Sequence, residues 1–252
     1  MKNFRKLMPC LALVLICESV IARESQENKN VAEETEQDCV ILLHGLARTS
    51  KSMKPLYQAL TGDGYFVVNN GYDSTNDTIE NLANTSVPAA IAQCPVNSTV
   101  HFVTHSMGGI LVRYYLANHT LPHPGNVVML GPPNRGSEVV DTMGGVPGFQ
   151  WINGPAGNEL GTDENSTPNT LPPVNFPLGI IAGNATFNPI LSGIIPAEDD
   201  GKVSVERTKV EGMLDHIVLD TSHTFMMRNK DVIAQTLYFL RNKHFNKKEQ
   251  PD

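Results

Sequence analysis

The segment Val103-Thr104-His105-Ser106-Met107-Gly108-Gly109 sets a serine between an apolar run and a helix-forming stretch. A serine in such a strand-to-helix turn is lifted above the carboxyl end of the strand, and small flanking residues permit the tight crossing. The helix behind it presents unpaired N–H groups and the positive end of a dipole. Met107 N–H is thereby placed to stabilise the oxyanion formed when Ser106 attacks a carbonyl. Earlier, Val40-Ile41-Leu42-Leu43-His44-Gly45-Leu46 ends an apolar run with His-Gly, and the loop after it can aim Leu46 N–H at the same oxyanion. The His44 side chain reads as structural, holding that loop. Thr104 stands where such a turn usually has glycine, a small residue the turn can still accept.

A serine hydroxyl is a weak nucleophile until an imidazole takes its proton and a carboxylate fixes that imidazole's tautomer. After an elbow of this kind the acid and then the base follow late in the chain. Of the late histidines, His216 falls inside an apolar strand and His244 in a polar tail. His223, in Thr221-Ser222-His223-Thr224-Phe225 just after the last strand, is the expected base. Glu198-Asp199-Asp200-Gly201 offers the acid: Asp200, because the glycine after it permits the presenting turn, with Asp199 as fallback. Asp220 would share one loop with His223 instead of converging from another.

These residues need a scaffold, and the chain alternates short apolar runs with helical stretches. Strands are predicted at 39–43, 65–68, 100–103, 127–130, 176–182 and 215–219. The first helix carries Met53, Leu56, Tyr57 and Leu60 at helical spacing, capped by Ser50 or Ser52, with Pro55 in its first turn. Asp77 with Glu80 resembles a capping box opening a helix through Ile91, kinked at Pro88. A third helix covers 108–117, and a last one, 231–240, shows Ile233, Leu237 and Leu240 on one face. Between them, 131–175 is rich in Gly, Pro, Asn and Thr and reads as one long functional loop. Strand–helix alternation implies a mainly parallel sheet with helices on both faces, in a single domain over 38–245.

The first 22 residues differ from the rest. Lys2, Arg5 and Lys6 precede an apolar run from Leu7 to Cys17, and Val20-Ile21-Ala22 supplies a cleavage site. That is the order of a secretory signal peptide, cut near Ala22, and the run is too short to span a bilayer. Export to the periplasm or medium is expected, with no stable membrane anchor. Residues 23–37 form an acidic lead-in expected to be disordered, and 246–252 a polar tail. Cleavage leaves Cys39 and Cys94, which in an exported protein point to one disulfide. It also leaves 16 Lys and Arg against 25 Asp and Glu, a net of −9, from −7 for the whole chain. Such a balance excludes a nucleic-acid partner, which would need a basic face. No complete Gly-x-Gly-x-x-Gly, His-Glu-x-x-His or paired Cys-x-x-Cys occurs, so neither cofactor nor metal is expected.

Five stretches together, VILLHGLART (40–49), VHFVTHSMGGILVRYYL (100–116), VVMLGPPNRGSE (127–138), DDGKVSVERTKV (199–210) and DTSHTFMMRN (220–229), resemble the α/β-hydrolase-fold serine esterases, especially small bacterial lipase-like members. The resemblance spans about 38 to 243. It implies Ser106 as nucleophile, Asp200 as acid, His223 as base, and Leu46 and Met107 as oxyanion donors. It implies an ester or lipid substrate and a cap or lid at 137–175, where Phe149 and Trp151 would meet an acyl chain. Acyl transfer and amide cleavage use the same residues, and a catalytically silent binding module of this fold is the non-enzymatic alternative.

Overall fold

In the computed structural model the described residues are 37–144, 149–186, 193, 195 and 197–247, with the side chains of 149–152 excepted. The expected signal peptide, nearly all of the acidic lead-in, the Phe149 and Trp151 side chains and most of the tail lie outside the described residues.

Six strands, β1 (Cys39–Leu43), β2 (Phe66–Val68), β3 (Val100–His105), β4 (Pro124–Leu130), β5 (Leu178–Gly183) and β6 (Asp215–Leu219), form one sheet. Their order is β2-β1-β3-β4-β5-β6, every pair parallel. Parallel strands need crossovers, and helices supply them: α1 (Lys54–Gly62), α2 (Ile79–Ile91) and α3 (Met107–Asn118) precede α4 (Glu138–Met143) and α5 (Phe149–Asn158). The short α6 (Thr167–Thr170) and α7 (Val205–Thr208) and the long α8 (Lys230–Asn242) follow.

The continuous apolar runs read from sequence are explained by burial on both faces. Ile41, Leu43, Phe102 and Met129 pack with α2 and α3, while Val40, Leu42, Val103 and Val128 face α1 and α8. A disulfide joins Cys39 of β1 to Cys94 after α2, fifty-five residues apart. Buried Arg113 on α3 donates from Nη1 to the Asn134 carbonyl and side-chain oxygens at 3.0 and 3.1 Å. Burial lowers its pKa to about 10. The chain turns back across its own start at β1, with β2 on one side and β3 on the other, and ligand crevices open at such switch points.

Several local expectations change. Thr78, not Asp77, caps α2: its hydroxyl accepts from Asn81 N, while Asp77 accepts from Thr78 N and the Asn81 side chain. That one-residue shift lets Ile79 begin the buried face. The helix continues across Pro88 to Ile91. Neither Ser50 nor Ser52 caps α1; both lie in a 3-10 turn, Ser50–Met53, preceded by Thr49. Tyr57 is exposed because the buried seam is the i, i+4 pair Leu56 and Leu60. In α8 the buried face centres on Val232, Thr236, Phe239 and Leu240, leaving Ile233 and Leu237 at its margin. The long loop holds three short helices, α4, α5 and α6, and α5 is broken at Gly154, where φ is 65°.

Candidate active site

β3 runs two residues further than its apolar core suggested, so Thr104 and His105 are strand residues and the elbow begins at Ser106. There the backbone turns to φ 53°, ψ −126°, a strained conformation for a non-glycine residue, and α3 starts immediately. Gly108 makes the crossing feasible: a Cβ there would sit 2.6 Å from the Leu43 carbonyl oxygen of β1. Thr104 at the unusual position is fully buried. A Cβ on Gly45 of the His-Gly pair would lie 2.9 Å from His105 Nδ1, so any side chain there would push on the elbow.

Three side chains from separate loops meet above this turn. His223 Nε2 lies 3.0 Å from Ser106 Oγ, and His223 Nδ1 lies 2.7 Å from Asp200 Oδ2. The carboxylate fixes the tautomer: Nδ1 donates to Asp200, leaving the Nε2 lone pair to face the serine hydroxyl. The other carboxylate oxygen, Oδ1, accepts from Lys202 N and Val203 N at 3.0 and 2.9 Å. His223 N also donates to the Asp200 carbonyl at 2.9 Å, binding the two loops through backbone as well. Asp199, the fallback acid, instead accepts from Gly201 N at 2.6 Å. Ser106 remains partly accessible, while His223 and Asp200 are buried.

Leu46 borders the cavity that Ser106 opens into. Met107 is the first residue of α3, so its N–H is among those with no acceptor inside the helix. His44 is structural in its contacts: its ring stacks on Tyr72 at 4.2 Å, Tyr72 N donates to Nε2, and Tyr72 OH donates to the His44 carbonyl. Burial lowers the His44 pKa. The rejected residues lie in other contacts. His216 Nε2 meets Thr208 Oγ1 at 2.9 Å, and Asp220 offers its carbonyl to Asn229. His244 Nδ1 lies 3.2 Å from the Phe245 carbonyl oxygen.

Sequence reading gave His105 no role, yet its buried Nε2 donates to the His223 carbonyl at 2.9 Å and the two rings lie 4.7 Å apart. Burial, then the neighbouring His223, holds the His105 pKa well below the usual histidine value. The only sequence signal was its place next to Ser106. The cavity, about 180 Å³, takes its apolar wall from Val139, Val140 and Met143 of α4 together with Leu160, within the 137–175 stretch. Two cations, Arg48 and Lys202, also border it. The described residues include no group of three or more side chains suited to hold a metal.

The fold recurs in solved proteins. A lipase from Bacillus licheniformis in its mature form superimposes with a TM-score of 0.61 at 16% identity, over 83% of this chain and 93% of the lipase. The chain has the α/β-hydrolase fold. A metagenomic carboxyl esterase aligns at TM-score 0.57 and 18% identity, over 75% of this chain and 65% of the esterase. A type II thioesterase from a yersiniabactin biosynthetic pathway aligns at 0.52 and 13%, over 85% and 96%. No family model matches the sequence, and no curated protein matches it.

Proposed function

We propose that this α/β-hydrolase-fold chain is a serine hydrolase that cleaves carboxylic esters through an acyl-enzyme on Ser106. The observation supporting this reading is the hydrogen-bond chain from Ser106 Oγ through His223 to Asp200, at 3.0 and 2.7 Å. Similarity in fold to a lipase and a carboxyl esterase favours ester substrates over amides.

In this mechanism His223 Nε2 takes the Ser106 proton as Oγ attacks the ester carbonyl. The resulting oxyanion is held by the N–H groups of Leu46 and Met107. Collapse expels the alcohol, which receives the proton from His223. A water that gives its proton to the same nitrogen then attacks the acyl carbonyl, and His223 returns that proton to Ser106 Oγ as the acid departs. Asp200 stays ionised and stabilises the imidazolium in both steps. The apolar wall from α4 and Leu160 receives the acyl chain. Export, after removal of residues 1–22, agrees with the Cys39–Cys94 disulfide, since such bonds persist in oxidising compartments. No described helix is long and apolar enough to cross a membrane.

A fluorophosphonate probe tests the nucleophile. The protein should label stoichiometrically and hydrolyse 4-nitrophenyl butyrate, and Ser106→Ala should do neither. Equal labelling of both proteins, or none of either, overturns the assignment. Product analysis with an added acceptor alcohol separates hydrolysis from acyl transfer.

A further inference from the structure

Among the described residues the cavity lining combines an apolar wall with two cations and no acidic side chain. Arg48 comes from the loop after β1, two residues beyond Leu46, and Lys202 from the loop that presents Asp200. No Asp or Glu borders the cavity among the described residues. The Asp200 charge acts on Lys202 from the same loop, but its oxygens are engaged, Oδ2 with His223 and Oδ1 with the backbone N–H groups of Lys202 and Val203. Neither Arg48 nor Lys202 forms an ion pair among the described residues. Two like charges converging on a cleft without an anion repel each other, in a chain whose overall balance is −7. A cleft lined by one sign of charge between apolar walls focuses its field on an incoming ligand of the opposite sign.

We propose that the ester accepted here carries an anionic group, a phosphate or a carboxylate, held between Arg48 and Lys202. This inference rests on the esterase reading above and adds the substrate class to it. Arg48 supplies a planar fork suited to two oxygens of such a group, and Lys202 a mobile point charge. Burial first and then Arg48, against the pull of Asp200, hold the Lys202 pKa below the usual lysine value. An anion in the cleft relieves that repulsion.

Two matched pairs test the proposal. The phosphate pair is 1-butyrylglycerol 3-phosphate against 1-butyrylglycerol, and the carboxylate pair is butyryloxyacetate against its methyl ester. The wild type should favour the charged member of at least one pair in kcat/KM by roughly tenfold, the scale of one charge-assisted hydrogen bond. Arg48→Gln with Lys202→Gln should erase that preference, Arg48→Lys should retain part of it, and added salt should weaken it only in the wild type. A preference confined to one pair identifies the anion, and one seen in both identifies charge alone. An unchanged ratio in the double variant, or a wild type that favours the neutral esters, overturns the proposal.

Hydrolysis of 4-nitrophenyl butyrate but of none of the four esters overturns the anion proposal. Failure of the wild type to hydrolyse the four esters and 4-nitrophenyl butyrate alike overturns the esterase reading instead. Calorimetric binding to Ser106→Ala then still tests the anion site. Tighter binding of the charged ester, lost with the two glutamines, supports the site, and equal binding of charged and neutral esters overturns it.

Discussion

His105 Nε2 donates a 2.9 Å hydrogen bond to the carbonyl oxygen of His223, so the residue before the serine holds the backbone of the residue facing it. His105 Nδ1 is buried with no hydrogen-bond partner among the described residues. A second proton on this ring would have no acceptor, so the ring stays neutral and Nε2 stays a donor. In the proposed mechanism His105 is a positioning residue: it holds the His223 backbone without touching Ser106 Oγ.

Removing that donor should lower kcat more than it changes KM. For His105→Ala, kcat for 4-nitrophenyl butyrate is expected to fall roughly 10- to 100-fold, the loss that small misplacements of reacting groups produce. KM should stay within about twofold, since uniform substrate binding is untouched. His105→Gln, which retains a side-chain donor, should recover part of the rate. A purely structural role predicts equal loss of folded protein in both variants and no rescue, which circular dichroism and the kcat–KM split will distinguish.

The two adjacent carboxylates separate cleanly. Asp200→Asn keeps the shape but removes the charge that fixes the His223 tautomer, and kcat should fall by roughly 10³- to 10⁴-fold, as when such a carboxylate becomes an amide in other triads. Asp199 holds the turn through Gly201 N, so Asp199→Asn should cost about 1 kcal/mol of stability and leave most of the rate. The opposite ranking in steady-state rates would transfer the role to Asp199.

Substrate length should be set by α4. Val140→Phe narrows the wall shared by Val139, Met143 and Leu160, and should shift preference toward shorter acyl chains in a series of 4-nitrophenyl esters. Met143→Ala widens the wall and should shift preference the other way, with a change on the order of tenfold per discriminated methylene. An unchanged chain-length profile in both variants places the acyl chain elsewhere.

Stability should decline as the medium becomes acidic. Burial, then nearby Lys209, lowers the His216 pKa from 6.5 to about 4, so between those values the unfolded chain binds a proton that the folded chain refuses. A group with a depressed folded pKa contributes stability that is complete above about pH 6.5 and is lost as pH falls toward 4. His101 is lowered in the same direction, first by burial. Denaturant titrations of His216→Gln across this window should show a shallower fall than wild type, by up to about 1.4 kcal/mol per pH unit for one proton. Identical slopes would remove His216 from the account.

The sequence by itself determined the mainly parallel sheet and the strand-to-helix crossing at Ser106, and it singled out Asp200 and His223 as candidates late in the chain. Strands buried on both faces read as continuous apolar runs, as at 39–43 and 127–130, and a serine one residue ahead of two glycines marks a sharp strand-to-helix crossing. These are local signals, carried by residue type and by spacing of two to four positions. The tertiary structure decided what depends on loops converging across the fold. Asp199 and Asp200 are indistinguishable as residue types, and only the fold of their loop turns Asp200 toward His223. His105 gained its role because strand β3 carries its ring to a backbone carbonyl 118 residues away. Arg48 and Lys202, separated by more than 150 residues, became neighbours of one cavity through the same convergence, which sequence spacing does not encode.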